Sequence, residues 1–448
     1  MKNIFLKFAI VLICNSSLSS FAQTINSAKM DSLIWKLSEN NKLMGSLAIS
    51  KNGKQIYSAA INTINPSEKL PPINHQSKFR IGSITKMFTS VMIFQLVEEK
   101  KLKADSRLSE FYPELPNADK ITITDLLTHH SGLHNFTNDE SYLSYYTKAK
   151  SQAELLSMFK QMKPDFAPGA KAEYSNTNFV VLGFIIEKLD KRSYAESLKK
   201  RIVDKIGLKD TFYGSRIDTK NNEMLSYAFT DNKWVAEKET DMSIPHGAGA
   251  IVSTPNDLST FIEALFSYKL LKKESLDEMK TLRDNFGKGI FQFPFGKRSA
   301  YGHDGGIDGF VSSLAYFPED SLSIAITSNG LNYNMNDILI GVLSIVFNQP
   351  YSIPTFTSIK LPEEKLIAYE GVYASKQIPI KITLKKENGS LSAQATNQPS
   401  FLLDAQNETT FSYEKVGAVL SFKIETDGKI NSFVLKQGGG EFLFEKEN

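Results

Sequence analysis

Apolar and polar residues alternate in two short runs, Ser46 to Ser50 and Gln55 to Ala60, on either side of Asn52-Gly53. A period of two predicts strands, and Asn-Gly tolerates the positive φ of a tight turn, so a β-hairpin is expected over Gly45 to Ala60, opening a sheet. From Ser83 to about Lys100 there is neither Gly nor Pro, and apolar residues fall on several faces. That pattern predicts a helix buried in the protein interior. Thr122-Ile123-Thr124-Asp125 and Thr254-Pro255-Asn256-Asp257 have the form of capping boxes, each opening a helix. A further apolar, helix-like run spans Phe179 to Leu189, and Val311 to Phe317 and Ser323 to Ser328 read as strands joined by a Pro318-Glu319-Asp320 turn.

The texture changes after Asn348. Gln349-Pro350, Ile353-Pro354 and Leu361-Pro362 interrupt a stretch without helical period, which suits a linker and puts a boundary near residue 355. Beyond it, short alternating runs such as Ile378-Ile380-Ile382-Leu384 and Leu391-Ala393-Ala395 are separated by Asn388-Gly389, Asp427-Gly428 and Gly438 to Gly440. This spacing predicts an up-and-down antiparallel sheet or small barrel over 355–448. No repeat of solenoid length and no low-complexity tract stands out.

A chain of 448 residues exceeds what one core requires, and 41% hydrophobic with 23% charged residues excludes a largely disordered or fibrous protein. The net charge of +3 excludes a global basic field for nucleic acid. Residues 1–22 read as a secretory signal: Lys2 at the start, an apolar run from Phe8 to Ile13, and Ser20-Phe21-Ala22 at the cleavage position. The run is shorter than the roughly 20 residues of a spanning helix. The mature protein is then expected to begin near Gln23, to lack an integral membrane segment, and to be periplasmic or secreted. Cys14, the one cysteine, would leave with the signal, since Ile13 is too bulky for a lipidation site. No thiol chemistry, disulfide or cysteine-based metal site remains.

Three short motifs carry candidate chemistry. In Gly82-Ser83-Ile84-Thr85-Lys86 a helix would put Lys86 one turn from Ser83, on the same face. A serine is a poor nucleophile until a neighbouring base takes its proton, and the free N–H groups of a helix start favour the resulting oxyanion. Tyr174-Ser175-Asn176 adds a phenol that a nearby ammonium could bias toward phenolate, making it a base. His303-Asp304-Gly305-Gly306 precedes a strand, and its glycines allow a backbone N–H to approach a bound acyl group. Singly, each motif is equally a cap, a packed loop tyrosine or a turn.

Together and in this order they resemble the serine β-lactamase and penicillin-binding-protein superfamily, its class C branch in particular. Leu126-Leu127-Thr128-His129, Ser131-Gly132-Leu133, Gly249 and Ser253-Thr254-Pro255 extend the resemblance over residues 28–345. It implies a mixed α/β fold of the α+β kind over 23–354: an antiparallel sheet flanked by helices, with a helical subdomain. The all-β unit that follows resembles the lipocalin-like domains of some relatives. The resemblance further implies that Ser83 is acylated, that Lys86 and Tyr174 handle protons, and that Asn176 bonds Lys86 and the substrate amide. The N–H groups of Ser83 and Gly306 would form the oxyanion hole, and His303 and Gly305 would line the substrate.

His303 stands where β-lactamases and many carboxypeptidases carry lysine, so a permanent cation is replaced by a group with an ordinary pKa of about 6.5. This moves the expectation from β-lactamase or D-Ala-D-Ala carboxypeptidase toward an esterase, a D-amino-acid peptidase or a peptidoglycan-peptide hydrolase, with activity titrating near neutrality through His303. The substrate is expected to be a small molecule or short peptide, including cell-wall-derived ones, and no cofactor is implied. A non-catalytic receptor is the competing class. His129, His130 and His134 lack zincin spacing, so no metal is expected. Lys100, Lys101 and Lys103 read as a solvated helix end, Trp35 and Trp234 as packing residues, and the C-terminal unit as a stabilising appendage, with a ligand pocket or a loop lent to the catalytic cleft as the alternatives.

Overall fold

The computed structural model describes residues 25–63, 71–356, 358–413 and 416–447, so the expected signal and Cys14 lie outside the described residues. Helix α1 (Ser27–Glu39) starts at Asn26, whose side chain accepts from the Lys29 N–H, and buries Met30, Leu33, Ile34 and Leu37 along one stripe. Trp35 faces away from that stripe and is 54% exposed, so the expectation that it packs is corrected.

Strands β1 (Leu43–Lys51) and β2 (Lys54–Ile61) form the predicted hairpin, with Asn52 at φ 52° and Gly53 at φ 74°. Two positive φ values in a two-residue loop give the turn whose twist matches the strands it joins. Strands β3 (Phe291–Phe295), β4 (Arg298–Ile307), β5 (Phe310–Phe317) and β6 (Leu322–Leu331) complete an antiparallel path in the order β2-β1-β6-β5-β4-β3. Tyr227–Thr230 and Lys233–Ala236 attach to its β6 side.

Helix α2 (Thr85–Glu98) is buried from Thr85 to Leu96, as its all-round apolar pattern requires. It starts two residues later than predicted, because Gly82–Ile84 forms a 3-10 turn with Gly82 at φ 50°. Helices α3 (Asn176–Asp190) and α4 (Pro255–Phe266) pack around α2, with the Phe88 and Phe261 rings stacked at 3.7 Å. On the other side of the sheet, α1 packs with α5 (Met335–Val346) over Leu47, Ile49, Ile324 and Ile326.

The two predicted helix starts differ. Thr122 Oγ1 accepts from the Asp125 N–H at 3.1 Å while Asp125 Oδ2 accepts from the Thr122 N–H at 3.0 Å, a complete capping box. Thr254 Oγ1 caps Asp257 at 3.2 Å, but Asp257 Oδ2 accepts from Lys209, Asp210 and Thr211 instead. The second box is therefore half formed, its acid having been taken by a distant segment.

Strands from Gly371–Ala374 to Gly440–Lys446 close into an eight-stranded barrel in sequence order, the last pairing with the first through Tyr373 and Lys446. Closure removes the free edges that alternating β sequences otherwise expose. Tyr373, Leu391, Phe411, Phe433 and Phe444, none more than 1% exposed, fill its interior. The barrel thus encloses a packed apolar core of its own. Among the described residues no helix is long and apolar enough to cross a membrane.

Candidate active site

The 3-10 turn ahead of α2 holds Ser83 half-buried while Lys86, one turn further, is fully buried. Lys86 Nζ lies 3.0 Å from Ser83 Oγ, 2.8 Å from Asn176 Oδ1 and 2.8 Å from the Ala248 carbonyl. Tyr174 donates its hydroxyl to Ser83 Oγ from 2.8 Å. Lys86 and Tyr174 thus meet at the Ser83 hydroxyl, and Asn176 joins them through Lys86.

Burial drives the Lys86 amine well below its ordinary pKa, which favours the neutral form. Asn176 Oδ1 and the Ala248 carbonyl can only accept, so they take two N–H bonds, and a neutral amine then turns its lone pair to the Ser83 hydroxyl. Burial also pushes the Tyr174 phenol up, with the Ser83 bond as a smaller opposing cause. The sequence expectation of a phenolate base is corrected: a neutral amine beside Tyr174 supplies no cation to hold a phenolate, so Tyr174 stays a proton donor.

Asn176, at the first turn of α3, has a fixed orientation. Its Nδ2 donates to Thr137 Oγ1 at 3.1 Å, Thr137 donates to Asn135 Oδ1 at 3.1 Å, and the Asn176 N–H donates to the same Asn135 oxygen at 2.9 Å. His129, held at φ 60°, accepts from the Ser175 N–H at 3.1 Å and lays its ring 4.5 Å from that of Tyr174. The neighbouring histidines separate: His130 bonds Thr128 and Asp284, and His134 sits between Asp139 and Asp165.

The opposite wall is the end of β4. The tight turn Asp308-Gly309 pairs Ile307 with Phe310. In such a hairpin the closing pair is hydrogen-bonded and the pattern alternates, so Asp304 and Gly306 direct their N–H groups away from β5. Pairing of β3 with β4 ends at Gly302, leaving this edge free. The edge lies against the serine turn: a Cβ on Gly82 would come 2.7 Å from Gly306 N, and one on Gly305 would come 2.0 Å from the Ile81 carbonyl. Glycines at 82 and 305 are thus required by backbone contact, which brings the Ser83 and Gly306 segments together.

His303 is 3% exposed, and burial is the main cause that lowers its pKa to about 3. Its Nδ1 donates to the Asp304 carbonyl at 2.5 Å, which leaves Nε2 as a buried acceptor without a partner. The expected titration of His303 near neutrality is therefore corrected. Sequence reading also missed the Ala248 carbonyl and the Asn135–Thr137 pair. The former is a backbone atom; the glycines of His246–Gly249 were its only trace.

The Beta-lactamase family profile matches residues 31–341. Penicillin-binding protein 4* of Bacillus subtilis (strain 168) is 25% identical over 449 residues, covering 92% of this chain and 97% of its own. Teichoic acid D-alanine hydrolase of Staphylococcus aureus is 25% identical over 315 residues, covering 68% of this chain and 76% of its own. Among solved structures, a D-stereospecific amidohydrolase from Streptomyces sp. superposes with a TM-score of 0.62 at 25% identity, covering 72% of this chain and 99% of that one. With its profile match across most of the chain, and with relatives that share its mixed fold, this protein belongs to the beta-lactamase family of the serine hydrolase superfamily.

Proposed function

We propose that this protein is an exported serine hydrolase that cleaves an ester or amide of a D-amino acid through an acyl-enzyme on Ser83. The observation that carries the reading is the pair of contacts on Ser83 Oγ, Lys86 Nζ at 3.0 Å and Tyr174 Oη at 2.8 Å. The Ser83 proton passes to the neutral Lys86 amine as Oγ bonds the substrate carbonyl carbon. The negative oxygen that forms is held by the N–H groups of Ser83 and Gly306. When the intermediate collapses, the alcohol or amine leaves with a proton from Tyr174, which regains one from Lys86. Water then repeats the sequence on the ester, releasing the acid and free Ser83. Export rests on the signal-like pattern of residues 1–22.

His303 narrows the substrate. A neutral imidazole offers no charge to a substrate carboxylate. This favours D-aminoacyl esters and amides over β-lactams and D-Ala-terminated peptides. Two relatives, a teichoic acid D-alanine hydrolase and a D-stereospecific amidohydrolase, bear names of the same stereochemistry. Turnover of D-alanine methyl ester, its L enantiomer, an acyl-D-Ala-D-Ala peptide and a chromogenic cephalosporin tests this. The D ester should exceed each of the others by at least about tenfold, or about 1.4 kcal/mol. Faster cleavage of the carboxylate-bearing peptide would overturn the substrate reading, and turnover of none would favour the receptor class.

A further inference from the structure

We infer that the buried ion pair of Arg80 and Asp308 is a positioning device that sets the distance between the two halves of the oxyanion hole. The inference rests on the reading that the Ser83 and Gly306 N–H groups form that hole. Arg80 lies three residues before Ser83, on the short strand Phe79–Arg80, and Asp308 lies two residues after Gly306, in the β4–β5 turn. Their side chains are 2% and 1% exposed, with Nη1 2.9 Å from Oδ2.

Between these segments the hole itself supplies only backbone packing, because the glycines at 82 and 305 bring no side chain to the contact. Two clamps flank it. Ser312 donates to the Ile81 carbonyl at 2.9 Å, and Arg80 holds Asp308. The second is braced through both terminal nitrogens of Arg80 and both oxygens of Asp308, while Arg80 Nε is buried without a partner. Arg80 Nη1 also donates to the Thr240 carbonyl at 2.9 Å, and Nη2 to the Ser215 carbonyl at 3.0 Å and Glu239 at 3.2 Å. Asp308 Oδ1 accepts from the Thr240 N–H at 3.0 Å and its hydroxyl at 2.6 Å.

A buried pair of this kind gives little net stability, because losing water costs each ion much of what their attraction returns. What it gives is fixed geometry. The guanidinium is planar and its donors are forked, so an error in the Asp308 turn is transmitted rather than absorbed. A misplacement of about 1 Å among groups that act on a reacting centre can cost roughly 10²-fold in rate.

The test compares an oxygen ester with the thionoester of the same acyl and leaving groups, using the full chain. A sulfur anion is larger and accepts hydrogen bonds poorly, so the ratio of acylation rates reads the fit of the hole rather than the amount of folded protein. Wild type should favour the oxygen ester, and Asp308→Asn should lower the ratio about tenfold with KM changed less than about twofold. Thr240→Val, which removes the 2.6 Å bond to Asp308, should lower it in the same direction, and decides the matter if Asp308→Asn does not fold. A wild-type preference that survives both substitutions overturns this inference and leaves the hole standing. A wild type with no preference overturns the hole, and the inference with it.

Discussion

Lys86 and His303 are held neutral by the same cause, removal from water, yet the proposed mechanism gives them different tasks. A lysine can take a proton from Ser83 only while it lacks one of its own, so the acylation rate should rise with pH as Lys86 deprotonates. His303, with a pKa of about 3, is neutral at higher pH and adds no limb there. The pH dependence of kcat/KM in wild type and His303→Asn checks the assignment: both should share one midpoint. A displacement of more than about one unit on substitution would return the limb to His303. The sign for stability follows from the same shift. The unfolded chain binds a proton at His303 near its ordinary value of about 6.5 while the folded chain resists, so its contribution is whole above that pH and fades as pH falls toward 3.

At the scale of elements, the serine turn and the end of β4 form one unit through a glycine contact. Gly82→Ala should damage both partners: φ 50° costs an alanine about 1–2 kcal/mol, and the new methyl would meet Gly306 N at 2.7 Å. Labelling of Ser83 by a phosphonofluoridate should slow by at least about tenfold beside a modest loss of thermal stability. Unchanged labelling with lowered stability would make Gly82 a folding residue only. This contact also marks what the sequence makes legible. Ser83, Lys86, Tyr174 and Asn176 are readable because their chemistry lies in side chains at motif spacing, and the hairpin because Asn52-Gly53 is a local backbone signal. The Ala248 carbonyl has no residue signature, and the neutrality of His303 depends on burial beneath elements remote in sequence. Asp257 was misread for the same reason: residues 209–211 compete for its oxygen and a local motif cannot register them.

At the scale of the whole molecule, the chain divides its apolar residues among separate cores. One lies under the α2 helix, one between the sheet and α1 with α5, and one inside the barrel. Ser83, Lys86, Tyr174, Asn176 and His303 all precede the barrel, whose interior is occupied by its own aromatic rings. The proposed chemistry rests on the Ser83 hydroxyl, and the most direct test is the mass of the intact protein quenched during turnover of D-alanine methyl ester or after treatment with a phosphonofluoridate. A single adduct should map to the peptide containing Ser83, vanish in Ser83→Ala, and form about 10²- to 10⁴-fold more slowly in Lys86→Ala. Turnover that persists in Ser83→Ala, or an adduct on any other residue, would contradict the account.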